Sequence, residues 1–269
     1  MAHRHPITQH YFHIVDRSPW PLVVSAALFI TAVGAAKWFH YEDAGSTLLF
    51  GFCLTVLTLI LWWRDVVREG TYEGHHTTVV QRGLRIGFIL FILSEVMFFF
   101  SFFWAFFNSS LAPGIDIGCV WPPALIQPFS PWAIPLLNTE ILVLSGATIT
   151  WAHYAIVLGA RKDAILGFAF TLGLGFIFTG FQGLEYFEAP FSISDSVYGA
   201  TFFMLTGFHG MHVLVGACFI AVCFVRYLRH HFTRRHHLGF EFAAWYWHFV
   251  DVVWLFLYLI LYCWGGYQV

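Results

Sequence analysis

Apolar residues fall in long blocks along this chain, separated by short polar stretches. Seven blocks, at about 20–39, 47–63, 84–107, 135–157, 164–184, 197–225 and 240–264, approach or exceed the ~20 residues a helix needs to cross ~30 Å of hydrocarbon. Lipid admits only backbone that satisfies its own hydrogen bonds, and these lengths suit helices better than short barrel strands. Breakers punctuate the blocks. Ser18-Pro19-Trp20-Pro21 opens the first, and Pro190 and Asp195 mark the turn before the sixth. Pro113, Pro122, Pro123, Pro128, Pro131 and Pro135 fill one long connector after the third, which reads as a cap over one face. The pattern predicts an all-α, polytopic membrane protein, a single body over residues 1–269 with seven transmembrane helices.

Composition agrees. Hydrophobic residues make up 59% of 269, charged residues only 10%, and mean hydropathy is +0.70; soluble domains carry about 25% charged residues. The charges also set an orientation. Arg4, Arg17, Arg64, Arg68, Arg82, Arg85, Arg161, Lys162, Arg226, Arg229, Arg234 and Arg235 all fall on the side of the N-terminus in a seven-span arrangement, with Lys37 the exception. Glu42, Asp43, Asp116, Glu188 and Asp195 fall on the other. That asymmetry predicts an N-terminus in the cytoplasm or matrix and a C-terminus outside. Trp20, Trp62, Trp63, Trp121, Trp132 and Trp264 lie near span ends and read as an interfacial belt. Cys53, Cys119, Cys218, Cys223 and Cys263 form no CxxC pair and read as small apolar fillers. The first residues, with His3, His5, His10 and His13 but no apolar core, are not a signal peptide, so the first span is expected to do its own targeting. No nucleotide loop, zinc-protease motif or serine triad is evident, and the short basic loops are too brief for nucleic acid.

Few polar groups lie within the apolar blocks. Glu95 leads: a carboxylate at the centre of a span costs roughly 2.5–3.5 kcal/mol on translocon scales. It is either a proton-active or lipid-contacting carboxyl, or a neutral acid hydrogen-bonded to a neighbouring span. His153 lies on the fourth span, His209 and His212 on the sixth at i,i+3, and His248 and Asp251 on the seventh at the same spacing; Glu140 and Glu185 sit near outer ends. The histidines have the count for haem or copper ligation, but an isolated HxxH is a weak motif, and histidine inside a bundle is often a hydrogen-bonded packing residue. His248 and Asp251 read as an orienting pair. Between the second and third spans, Arg64 to His76 is the most polar stretch at the inner surface, read as a loop where Arg meets lipid phosphate and carboxylate or imidazole meets ethanolamine or glycerol, with Arg226 joining.

Six stretches carry a resemblance: WWRDVVREGTYEGHHT (62–77), LRIGFILFILSEVMFFFSFFWAFFNSSLAP (84–113), WPP (121–123), PLLNTEILVLSGATITWAHYA (135–155), FHGMHVLVG (208–216) and WYWHFVDVVWLFLY (245–258). Through them the chain resembles the haem–copper oxidase subunit 3 family over nearly its whole length; Glu140 stands where that family is less polar. The resemblance implies two bundles, helices 1–2 (18–64) and 3–7 (82–266), separated by a V-shaped cleft that holds phospholipids. It implies no haem or copper in this chain; haem a, haem a3 and copper belong to partner subunits 1 and 2, which sit with accessory subunits in a respiratory cytochrome c oxidase that reduces O2 and pumps protons. Lipid contacts are implied for Arg68, Glu69, His76 and Arg226, with Trp63 adjacent, and Glu95 matches the family's reagent-sensitive intramembrane carboxyl. His153, His209, His212, His248 and Asp251 are then structural, and Glu69, His75 and His76 are proton-antenna candidates at the inner face of a mitochondrial inner membrane. The rival readings are a purely structural lipid-binding or assembly subunit and a small-solute transporter; the latter calls for inverted repeats that the sequence does not show.

Overall fold

The computed structural model describes residues 11–41, 45–124 and 126–266. Among them are seven helices long and apolar enough to cross a membrane: α1 Trp20–His40, α2 Gly45–Thr71, α3 Thr78–Leu111, α4 Ile134–Leu158, α5 Arg161–Glu188, α6 Val197–Leu228 and α7 Leu238–Leu257, the last continued by a π-helical segment, Tyr258–Trp264. Arg4, Glu42 and Asp43, used above for orientation, lie outside the described residues.

The ends follow local chemistry. Pro21 sits in the first turn of α1 and Pro135 in that of α4, where the missing N–H costs nothing. Ser196 caps α6, its Oγ accepting from the Gly199 N–H at 3.3 Å. Lys37, the charge that breaks the orientation pattern, occupies the last turn of α1, where a cation complements the helix dipole. At the inner end of α6, Arg161 donates to the carbonyls of Tyr227 (3.4 Å) and Leu228 (3.0 Å), so it also closes a helix terminus.

Two expectations are corrected. The stretch from Arg64 is not a loop until Thr71: α2 continues through Arg64, Asp65, Arg68 and Glu69, and Trp20 Nε1 donates to Asp65 Oδ2 at 2.7 Å, tying this extension to α1. Trp121 is not an interfacial anchor. It is buried, its ring edge-on to Phe106 at 5.4 Å and tilted on Tyr198 at 5.5 Å, so the proline-rich connector tucks it into the core. The filler reading of the cysteines suits Cys223, which is buried; all five thiols are free, and Cys53, Cys119 and Cys218 are exposed.

The chain divides into two compact units, residues 1–85 and 86–269. In the first, α1 and α2 cross so closely that a Cβ on Gly34 would lie 2.6 Å from Leu48 Cα and one on Gly51 2.6 Å from Thr31 N; Thr31 and Thr55 hydroxyls meet at 3.2 Å. Small residues and a short polar bond are the usual means of joining helices in lipid, where apolar packing alone gives little preference. In the second unit, α7 is the most buried span, with Trp247, Trp254, Phe240 and Leu257 fully enclosed. Its indoles are anchored to α4, Trp247 Nε1 to Ser145 Oγ at 2.8 Å and Trp254 Nε1 to Thr139 Oγ1 at 3.0 Å. By contrast α3 buries only Phe99, Phe106 and Ser110 along its length. An apolar helix so exposed is suited to lipid or to another protein.

Candidate functional site

Glu95 projects from the middle of α3 onto α6. Its Oε2 lies 2.7 Å from His212 Nε2, and the two side chains are 23% and 7% exposed. The other ring nitrogen decides the proton count. His212 Nδ1 is 2.6 Å from the Phe208 carbonyl oxygen, which can only accept, so Nδ1 carries a hydrogen. The short Nε2–Oε2 contact therefore holds one further proton, either on the carboxyl or on the imidazole. In both cases the pair is neutral overall, and that neutrality is what makes it tolerable among Phe98, Phe99 and Phe249, whose rings surround His212. Glu95 is thus hydrogen-bonded to a neighbouring span.

His209 and His212 share a helix but not a site. Nε2–H of His209 donates to the Val250 carbonyl at 3.2 Å, and its ring lies between Phe178 and Trp254. His248 Nε2 meets Thr150 Oγ1 at 3.1 Å while its Nδ1 stands 3.5 Å from Asp251 Oδ2. His153 Nε2 contacts His237 Nε2 at 3.2 Å, and His237 Nδ1–H donates to the Thr233 carbonyl at 3.0 Å. Each intramembrane imidazole therefore spends a ring nitrogen on a different protein partner, and the four do not converge. Glu185, only 1% exposed, accepts from Tyr262 O–H at 2.6 Å, whereas Glu140 is exposed on α4.

At the far end of α2 lies a second polar group. Trp63 is 64% exposed, and the Arg68 guanidinium, 4.0 Å from Glu73 and largely exposed, is free to reach an anion. Glu69 and His76 are half-buried, and their ligating atoms lie with one from His13 all within 4.8 Å of one another. His75 reaches Glu73 at 3.7 Å and stacks on His13 with centroids 4.8 Å apart. Arg226 belongs to the second unit, where its guanidinium lies over the Phe232 ring at 4.4 Å. Sequence reasoning did not single out His13, Thr150 or His237. Nothing near them in sequence marks them, because their partners come from other helices; only the density of histidines in the N-terminal arm hinted at His13.

Comparison with known proteins supplies the family. A model described as Cytochrome c oxidase subunit III matches residues 10–266. The chain belongs to the cytochrome c oxidase subunit III family. Among relatives named Cytochrome c oxidase subunit 3, that of Prototheca wickerhamii is 60% identical over 96% of this chain and 99% of its own length. The Arabidopsis thaliana protein is 57% identical over 96% and 98%, and the Xenopus laevis protein 56% identical over 99% and 100%. Family membership and the seven apolar helices agree in making this a membrane-embedded chain of the respiratory oxidase class.

Proposed function

We propose that this chain is the non-redox subunit 3 of a cytochrome c oxidase complex, which reduces O2 to water with electrons from cytochrome c and pumps protons. It resides in the mitochondrial inner membrane, N-terminus in the matrix and C-terminus in the intermembrane space. Subunit 1 is its main contact, with subunit 2 and accessory subunits nearby, and these partners hold haem a, haem a3 and copper. The observation that carries the reading, beside the family match, is that His153, His209, His212 and His248 each bond a separate partner within the chain. Their chemistry is that of internal fasteners.

In this reading the helix 1–2 bundle (18–64) and the helix 3–7 bundle (82–266) flank a V-shaped cleft filled by phospholipids. The residues fit such a ligand. Arg68 offers an exposed guanidinium for phosphate, Glu69 and His76 offer acceptors for an ammonium, Trp63 offers an apolar face at head-group depth, and Arg226 supplies a second cation. The lipid supports sustained turnover and an apolar route for O2, while Glu69, His75 and His76 collect protons at the inner face. Glu95, neutralised by His212, keeps the α3–α6 contact closed. The test uses the purified complex: Arg68→Ala and Arg226→Ala should lower co-purifying phospholipid and hasten inactivation during turnover. Unchanged lipid content, O2 affinity, proton stoichiometry and inactivation rate would favour the purely structural alternative.

A further inference from the structure

Away from the Glu95–His212 pair, the second unit holds a group of polar side chains that the bundle does not satisfy. Asn138 on α4 and Gln182 and Glu185 on α5 are each more than nine-tenths buried. Five of their side-chain atoms have no hydrogen-bond partner among the described residues: Asn138 Nδ2 and Oδ1, Gln182 Nε2 and Oε1, and Glu185 Oε2. Buried polar atoms are almost always paired, with protein or with ordered water, so such a set calls for a ligand. We propose that Asn138, Gln182 and Glu185 bind a small cluster of internal water that bridges α4 and α5.

Helix register brings the three residues to one level. α4 and α5 run antiparallel and are keyed where the Thr148 and Thr171 hydroxyls meet at 2.8 Å. Asn138 lies ten residues before Thr148 and Gln182 eleven after Thr171. At 1.5 Å per residue both therefore stand about 15–17 Å from that contact, in the same direction. Asn138 is also two helical turns from Ser145, so it shares the inward face of α4 that receives the Trp247 indole. Gln182 and Glu185, three residues apart, are neighbours on one face of α5. The Gln182 amide is close enough to act on the Glu185 carboxyl and the Tyr262 hydroxyl, yet it completes a hydrogen bond with neither. Polar groups that face one another without bonding directly are the geometry a bridging water serves.

The neighbouring polar groups are committed elsewhere. Tyr262 O–H donates to Glu185 Oε1 at 2.6 Å. Tyr186 O–H donates to Thr206 Oγ1 at 2.7 Å, and that hydroxyl donates in turn to the Phe202 carbonyl. Beside Asn138, Thr139 Oγ1 accepts from the Trp254 indole and donates to the Pro135 carbonyl at 2.8 Å. None of these hydroxyls can turn to the five atoms without breaking a buried bond of its own. The five atoms also select their ligand. The two amide nitrogens only donate and the two amide oxygens only accept. A bare cation would serve the oxygens and leave N–H groups pointing at its charge; an anion would do the reverse beside a carboxyl. Water both donates and accepts. A buried water makes about three hydrogen bonds, so about two molecules serve the whole set.

The first test is a density map of the purified native assembly, at a resolution that shows ordered water elsewhere in it. Peaks within hydrogen-bond reach of Asn138, Gln182 and Glu185 are expected. A map in which the two amides bond each other or Glu185 directly, with no peak between them, overturns the site. The second test is X-ray radiolysis, which makes hydroxyl radicals from bound water where that water sits. Tyr262, buried but bonded to Glu185, should be oxidised, whereas the fully enclosed Trp247 should not. Asn138→Leu combined with Gln182→Met replaces four of the five atoms by apolar groups of similar size. In that double variant the oxidation of Tyr262 should be lost. Tyr262 left intact in the wild type, or oxidised equally in the double variant, overturns the proposal. The two wild-type readings decide the matter even where the double variant does not assemble.

Discussion

Removing Glu95 tests the claim that the α3–α6 contact is a neutral dyad sharing one proton. In Glu95→Ala, His212 Nε2 loses its 2.7 Å partner while the residue stays 6% exposed among phenylalanines. A buried polar atom left without a partner costs about 1–3 kcal/mol. Glu95→Gln keeps a donor, since the amide N–H can reach Nε2 whose lone pair faces it, and should cost less than about 1 kcal/mol. At roughly 2–4 °C per kcal/mol for a body of this size, the alanine variant should melt about 2–12 °C below the wild type and the glutamine variant within about 4 °C. His212→Phe supplies the reciprocal arm: without the imidazole the carboxyl must carry the proton itself, because an unpaired carboxylate there costs roughly 2.5–3.5 kcal/mol. Infrared spectroscopy should then show a protonated-carboxyl band that Glu95→Gln abolishes. Thermal melting of the reconstituted protein measures the first effect. If alanine and glutamine at 95 melt together, or if the 95 and 212 substitutions add with no coupling, the shared-proton argument is wrong.

Two further outcomes follow from the geometry. Gly51→Leu places side-chain carbon where only 2.6 Å separates a Cβ from Thr31 N, so α1 and α2 must part at a cost of about 1–3 kcal/mol; faster amide hydrogen exchange along α1 would register it, and wild-type protection there would contradict it. At the turn before α6, the Ser192 hydroxyl (2.6 Å) and the Ser192 N–H (2.7 Å) both donate to Asp195 and hold its carboxyl below the usual carboxylate range. A folded value below the unfolded one, near ~3.9, means the turn's stabilisation is complete at neutral pH and is lost as acid carries the pH down through the folded value. The exchange protection of the Ser192 amide should fall over that acid range in the wild type and stay level in Asp195→Asn; a level wild-type profile counts against the assignment.

The spans were legible because lipid asks for length and apolarity, and little else in a sequence imitates a block such as 84–107. The extension of α2 was hidden for a related reason: Arg64, Asp65, Arg68 and Glu69 look like the end of a span, yet a helix that leaves the hydrocarbon has no cause to stop, and Trp20 rewards its continuation. His209 and His212 were read together from their i,i+3 spacing. At 3.6 residues per turn that spacing still leaves about 60° between the side chains, enough to send one to Val250 on α7 and the other to Glu95 on α3. Glu95 was visible as an anomaly, but its partner on α6 lies far along the chain, and no local pattern names it. Trp121 misled because proximity to a span end is shared by anchors and by plugs; only the fold of the connector separates them.

The register of the second unit is set by its few polar contacts, since apolar faces slide past one another in lipid with little preference. On α7, Trp247 and Trp254 are two turns apart; on α4 their acceptors, Ser145 and Thr139, are about two turns apart in the opposite sense. Antiparallel helices can satisfy both bonds in one alignment only. A slip of a single residue shifts α7 by ~1.5 Å and turns it by about 100°, which breaks both at once and leaves two buried indole N–H groups unpaired. The same logic keys α5 to α6 through Tyr186 O–H and Thr206 at 2.7 Å, α4 to α5 through Thr148 and Thr171 at 2.8 Å, and the π-helical end to α5 through Tyr262 and Glu185. Glu95 and His212 add α3, whose aromatic contacts with α6 and α7 include Phe98 edge-on to Phe208 at 5.0 Å and Phe88 stacked on Phe242 at 4.5 Å. A carboxyl in the middle of that span therefore adds a directional bond to aromatic packing that fixes register less sharply.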